Sequence, residues 1–430
     1  MRNNAALKLV TNYNLFLILY VFFTVFFPYS LNVVRLGLLI GLFVFALLKI
    51  DAKVNLIRLI PFLVFWIHNW FSFAQGVVLD NPGSVIGFRH DILWAIVLCI
   101  SFLGIDKRSI LLSIEKVLIY VTFILCVMDV LAIISSTLGV SIPVFASIIR
   151  LQIFQVTYES ADVYAWFRAW HMSTYIFTIP FSIAMFFSNG YVCLGLSKRF
   201  MTILILLEGI SVAMSFRTAL ILIVVASVFF SLMLCVVCKN SNNIKMLRKI
   251  IVVGLALVVI VIVANNYLPY SFNEIIKAVQ QKLTDSYAAG STSVRKIMHD
   301  KLINAWKQSP IIGWGMGASV PGFTRDDVAV WAYESFYHDI LFKKGIIGAV
   351  ILLFLFFWIA YSLYITAKKD KNVSPIFIPI IVGFVCMVIG VSEDPYFTTL
   401  GNLWAIYLPY AVAYNKEKFT VSDDLLEVTK

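Results

Sequence analysis

Apolar and polar positions do not alternate along this chain. Apolar residues come in runs of about twenty, separated by short polar breaks, from the N-terminal region to the last fifteen residues. A run of that length, coiled as an α-helix, matches the hydrocarbon thickness of a bilayer. The pattern predicts twelve spans, near residues 12–29, 31–49, 56–76, 90–105, 114–138, 172–189, 199–216, 218–238, 249–266, 345–366, 373–391 and 399–415. Ten-residue segments of alternating polarity, which would signal an outer-membrane barrel, are absent. The expected fold class is therefore all-α: a polytopic transmembrane helical bundle of about twelve spans, with residues 1–430 as one integral membrane domain. No small-residue cleavage site follows the first apolar run, so it reads as a retained span rather than a signal peptide.

Two long segments interrupt the spans, at about 139–171 and 267–344. In the second, "FNEIIKAVQQKL" and "VRKIMHDKLINAW" carry apolar residues at helical spacing, such as Val294, Ile297, Met298, Leu302 and Trp306. This pattern predicts amphipathic helices lying at the membrane surface or capping the bundle. The turn-rich "SPIIGWGMGASVPG" follows, where Gly313, Gly315 and Gly317 permit positive φ or close backbone approach. No repeat in hydropathy or motif relates the two halves of the chain, as it does in many transporters.

Composition agrees with this reading. Apolar residues make up 61% and charged residues 13%, against about 25% charged in a soluble domain. The net charge of +11 does not point to nucleic acid, because the basic residues cluster in short loops between the runs. Twelve crossings put both termini on one side, together with Lys49, Arg58, Lys107, Arg108, Lys198, Arg199, Lys368 and Lys369. The positive-inside rule makes that side cytoplasmic. All six cysteines fall within spans or at their cytoplasmic ends, so disulfides in an outer loop are not expected. Cys235 and Cys238 form a lone CxxC without the second ligand pair that zinc normally takes. Neither a metal nor a cofactor is expected.

Twenty of the 34 basic residues fall on the cytoplasmic side; the other fourteen lie on the opposite side or at outer helix ends, and their clustering suggests an anionic partner there. Arg217, in "AMSFRTALILIVV", occupies the tight turn between spans seven and eight, where a charge is expensive and points to function unless it snorkels to the headgroups. Glu208 and Asp129, inside spans seven and five, read as structural counter-ions. Arg295 opens the second amphipathic helix, where a solvated charge is the plain alternative. Arg168 lies in the aromatic-rich "YAWFRAWHMSTYIF" before span six, the composition of an interfacial anchor. His338 stands among Glu334, Asp339, Lys343 and Lys344 at the start of an apolar run. Its bland reading is a surface histidine beside acids that complement a helix dipole. Its functional reading is a base near neutral pKa facing a substrate at the membrane surface. Arg89, Arg168, Arg325, Glu334 and Lys343 are the expected substrate-binding residues, with Glu393 and Asp394 of "SEDPYF", which either position a sugar or cap the end of span eleven.

Three segments, in this order, resemble the shared pattern of the O-antigen polymerase/ligase superfamily of bacterial inner-membrane glycosyltransferases. They are "SFRTALILI", "RKIMHDKLINAWKQSPIIGWGMG" and "YHDILFKKGIIGAVILL", the last with Asp339 where the family commonly has asparagine. The resemblance implies a GT-C-like bundle with a large, partly helical periplasmic loop before span ten. It implies that Arg217 and Arg295 engage the pyrophosphate of an undecaprenyl-linked donor, and that His338 lies beside the acceptor sugar. The expected activity is an O-antigen polymerase joining lipid-linked repeat units, inverting and metal-independent, in the inner membrane with its active site facing the periplasm. Its expected partners are the carrier-linked donor and acceptor, the bilayer and a chain-length regulator. A ligase that moves the finished polymer to lipid A–core is the near alternative; a lipid-linked sugar flippase is the alternative of another class.

Overall fold

The computed structural model describes residues 2–49, 55–138, 156–161, 164–215, 218–238, 290–392, 397 and 400–420. The apolar runs form helices. In chain order they are α1 (Arg2–Phe26), α2 (Asn32–Lys49), α3 (Leu56–Val78), α4 (Ser84–Gly87), α5 (Ala95–Leu103) and α6 (Arg108–Leu138). Between α4 and α5 the chain keeps coiling as a π-turn, Phe88–Trp94. After a short hairpin come α7 (Tyr175–Ser188), α8 (Gly190–Cys193), α9 (Lys198–Ser215) and α10 (Thr218–Val237). The series ends with α11 (Gly290–Trp306), α12 (Phe336–Lys369), α13 (Ser374–Gly390) and α14 (Trp404–Tyr414).

Among the described residues, six stretches are long and apolar enough to cross a membrane: Asn32–Lys49, Leu56–Val78, Ser84–Leu103, Arg108–Ala132, Ala219–Val237 and Phe336–Lys369. Val10–Phe26, Tyr175–Ser188 and Ser374–Gly390 are shorter apolar helices. α9 and α14 occupy the positions expected of spans seven and twelve. The expected span at 249–266 lies outside the described residues.

Burial sorts the helices into layers. Every residue of α7 is buried, and so are most of those of α13. A helix apolar all round belongs in the centre of a bundle, and these two pack against each other there. α10 leans on both, and α12 lies against α13 on another side. α1, α2, α5 and α6 form a flank in which α2 keeps most of its surface outward. That outward surface is apolar, as lipid contact demands.

The only β structure among the described residues is an antiparallel hairpin, β1 (Val156–Ala161) and β2 (Tyr164–Ala169), within the long segment before α7. A 3-10 turn, Trp170–Ser173, joins it to α7. There His171 Nε2 lies 2.8 Å from Asp129 Oδ1 of α6, and the Tyr175 hydroxyl donates to Asp129 Oδ2 at 2.6 Å. Asp129 thus fastens the hairpin's exit to the bundle. Glu208 accepts a hydrogen bond from the Ser182 hydroxyl between α9 and α7.

Polar side chains gather at the two ends of the bundle. At one end Lys49 Nζ reaches Asp106 Oδ1 (2.7 Å), Arg58 Nη1 donates to Tyr414 O (3.0 Å), and Arg108 Nη2 donates to Asn372 O (3.2 Å). Asn415 closes this end on the carbonyls of Leu103 and Ile105, both at 2.9 Å. The opposite end holds the C-terminus of α3, the π-turn, α11 and the first turn of α12.

Candidate active site

α12 is two helices joined at a break. Gly345 has φ 64° and ψ −170°, outside helical geometry, so the carbonyls before it and the N–H groups after it lose their helical partners. Buried backbone groups need replacements, and the ribbon after α11 supplies them. Trp314 N donates to Phe342 O (3.0 Å) and Gly315 N to Lys343 O (2.8 Å). In return, Ile346 N donates to Pro310 O (2.9 Å) and Ile347 N to Ile311 O (3.2 Å). A Cβ on Gly313 would strike the backbone of Lys343 and Gly345, and one on Gly345 would strike that of Ile311 and Gly313. The ribbon then runs on to α3, where Met316 N donates to Ser72 O at 2.8 Å. The Gln75 amide donates to Gly313 O at 2.8 Å, and the Asn81 amide to Trp314 O at 2.8 Å. The glycines of "PIIGWGMG" therefore serve backbone-to-backbone contact, and the two glycine-bearing motifs of the sequence form one joint.

Above the joint, α11 lies on a small core of its own. Met298, Leu302 and Ala305 pack with Ala318, Val320, Tyr333 and Phe342. Trp314 Nε1 donates to Ala305 O (2.8 Å), and Tyr333 Oη accepts from Val320 N (2.7 Å). Burial pushes the Tyr333 phenol up from its ordinary range. In the exposed loop between them, Asp326 accepts from Ala329 N (2.9 Å) and Val328 N (2.7 Å). Those two N–H groups hold its carboxyl below the usual carboxylate range.

With this core fixed, the adjoining flank of α11 faces the entrance of α12. Arg295 and His299 are one turn apart and share that face. Arg295 Nε meets Glu334 Oε2 at 3.3 Å, while Arg325 contacts Glu334 Oε1 through Nε (3.1 Å) and Nη2 (2.9 Å). One carboxylate is thus gripped by two guanidiniums, and the triad carries one more positive than negative charge. His299 Nε2 hydrogen-bonds the Ser335 hydroxyl. Its ring stacks on His338, with centroids 4.2 Å apart and planes 7° from parallel.

Below His338 a second polar group ties α12 to its neighbours. Lys343 Nζ pairs with Asp339 Oδ1 (2.7 Å) and donates to Trp331 O (2.8 Å). Lys344 is buried, with Nζ 2.6 Å from Asp91 Oδ2 and 2.8 Å from Asn69 Oδ1. Asp91 sits in the π-turn, where the extra residue per turn brings it toward α12, and the Asn69 amide donates to Asp91 O at 3.2 Å. Such π-turns often mark functional sites.

The sequence-derived candidates divide accordingly. Arg295, Arg325, Glu334 and His338 come together around the first turn of α12, with Lys343 one turn further on. Arg89 is exposed in the π-turn, two residues from Asp91, so its element is fastened to α12 through Lys344. Arg168 pairs in register with Thr157 in the hairpin. Arg217, Glu393 and Asp394 lie outside the described residues. α10, which begins one residue after Arg217, starts at the same end of the bundle as α12. Ile223 of α10 packs at Gly390 of α13, and the Tyr337 hydroxyl, next to His338, donates to Val388 O of α13.

His299, Lys344, Asp91 and Asn69 were missed as site residues. The sequence signal for His299 is its place as the i+4 neighbour of Arg295 on an amphipathic helix. The Lys344–Asp91–Asn69 group joins residues far apart in the chain and left no local signal.

These features define a multi-span helical membrane protein with a basic, histidine-bearing site at the mouth of a broken helix. Residues 200–353 match the family model described as O-antigen ligase, in keeping with the O-antigen polymerase/ligase superfamily. Members of that family are glycosyltransferase-like enzymes acting on lipid-linked glycans. The match covers a little over a third of the chain and spans Arg295, His299, the glycine ribbon, Glu334, His338 and Gly345. No curated protein matches the chain significantly.

Proposed function

We propose that this protein is a polymerase joining undecaprenyl-pyrophosphate-linked oligosaccharide repeat units on the periplasmic face of the bacterial inner membrane. The observation that carries the reading is the convergence of Arg295, Arg325 and His338 at the mouth of α12, inside the matched region. In this reading a hydroxyl of the acceptor sugar attacks the anomeric carbon of the donor glycan. Its oxygen forms the new glycosidic bond while the bond to the pyrophosphate oxygen breaks, inverting the anomeric carbon. The proton passes to His338, whose imidazole ring nitrogen can accept it at the mouth of α12. Undecaprenyl pyrophosphate departs as an anion. Fixed guanidiniums favour that departure because they stay charged, grip phosphate bidentately and need no reorganisation as charge develops. Arg295, Arg325 and Arg217 are assigned this role, and Arg89, Arg168, Glu334, Lys343, Glu393 and Asp394 that of holding the glycan and headgroup. Twelve spans, cytoplasmic termini and a chain-length regulator as partner belong to the same proposal.

The family description favours a second reading, a ligase transferring the polymer to lipid A–core. One experiment separates the possibilities: purified protein in liposomes with a defined lipid-linked repeat unit, followed by analysis of the lipid products. Longer glycans on the same carrier support the polymerase, and transfer only to added lipid A–core supports the ligase. Translocation of the lipid-linked unit without a new glycosidic bond would overturn both. Arg217→Ala and His338→Ala are expected to abolish extension while leaving the protein inserted and abundant; normal extension by both would remove the site assignment.

A further inference from the structure

We infer that His299 is a positioning residue for His338: its ring, anchored on Ser335, sets the plane in which the His338 imidazole meets the acceptor. This rests on the assignment of His338 under the proposed function and adds a residue to it. His338 lies in the first turn of α12, where a partly exposed histidine has several rotamers open to it. The parallel stack at 4.2 Å restricts it to those that lay its face against His299.

Ser335 supplies an independent observation. It is the N-cap of α12, where a serine side chain ordinarily accepts from the backbone N–H two or three residues on. Here it makes no such bond, although the residue is fully buried. Its hydroxyl meets His299 Nε2 instead. The helix gives up its side-chain cap, and the result is a fixed second histidine.

The clamp has a regular layout. Two successive residues ahead of α12, Glu334 and Ser335, are held by two residues of α11 one turn apart, Arg295 and His299. His299 then reaches one turn further along α12 to His338. α11 itself is fixed by Met298 and Leu302, both fully buried in the small core. A ring supported this way loses little freedom when substrate arrives, which is how a shell of supporting residues contributes to rate rather than to binding.

The test uses the full-length protein in liposomes with a lipid-linked repeat unit, comparing wild type with His299→Ala, His299→Phe and His299→Asn. The expected result is a fall in kcat of about ten-fold or more in His299→Ala, with KM for the lipid-linked donor within about two-fold, since Arg295 and Arg325 are intact. His299→Phe, which keeps a flat ring but loses the bond to Ser335, recovers part of the rate; His299→Asn, which lacks a ring face, does not. Wild-type kcat in His299→Ala, or equal losses in the Ala and Phe variants, would overturn the inference.

A second measurement does not depend on activity. The chain has five histidines, so imidazole 15N signals can be assigned by single substitutions. Removing the His299 ring must shift the His338 signals, and an unshifted His338 refutes the stack whatever the assay gives. Shifted signals in a protein that makes no glycosidic bond would leave the stack standing and refute the proposed function.

Discussion

Gly345→Ala is the sharpest probe of how the site is built. The wild-type backbone there has φ 64° and ψ −170°, a region essentially reserved for glycine, where another residue costs ~1–3 kcal/mol. The added methyl would also meet the backbone of Ile311 and Gly313, which cannot swing aside as a side chain could. Relieving that clash displaces the bonds from Ile346 to Pro310 and from Ile347 to Ile311, each contributing ~1 kcal/mol net. The sum is ~3–5 kcal/mol. Gly37→Ala is the control: it lies in the interior of α2 with open space where the methyl would go, and helix propensity predicts a gain of up to ~1 kcal/mol. Equilibrium unfolding in mixed detergent micelles reads both. A Gly345→Ala protein within ~1 kcal/mol of wild type, the worth of a single hydrogen bond, would refute the claim that ribbon and break form one joint.

Two further outcomes follow from the polar groups. Lys344→Met leaves the Asp91 carboxylate without its ammonium and should destabilise the protein by ~2–4 kcal/mol, allowing for the partial exposure of Asp91. Adding Asp91→Leu should recover much of that in the same unfolding assay, and a double variant no better than the single one would contradict it. The depressed Asp326 pKa means that its ordering of the 326–329 turn is present above the ordinary aspartate value of about 3.9 and is lost as pH falls through the lower folded value. Limited proteolysis at neutral pH should therefore cut Asp326→Ala faster than wild type in this loop. Equal rates there would show that the carboxylate does not organise the turn.

Hydropathy made the spans readable because one-dimensional burial in lipid needs no knowledge of partners. α12 and α13 are legible for that reason, and α11 because its apolar spacing survives outside the apolar runs. The pairing of Arg295 with the neighbourhood of His338 was legible only through motif order. The Lys344–Asp91 contact was not, since nothing local in "FRHDILW" announces a π-turn and its partner is some 250 residues away. The glycine spacing of the ribbon predicts close backbone approach or positive φ. That the glycines approach the backbone of a broken helix and of α3 depends on long-range geometry that no spacing encodes. The hairpin carrying Arg168 was hidden for another reason: its aromatic residues serve an interfacial anchor and a β-strand equally well.

The break at Gly345 also separates two design problems that an uninterrupted helix would have to solve together. In a straight rod, any tilt or rotation that fits the apolar stretch to a bilayer of different thickness would swing the first turn with it. Here the short upper piece takes its direction from the 310–316 ribbon and from α11. The long lower piece packs on α3, α13 and α14 and keeps an exposed apolar face that includes Val350, Leu353, Phe354 and Phe357. Mutational drift on that exposed face can therefore adjust the protein to its membrane while the imidazole stays where α11 holds it.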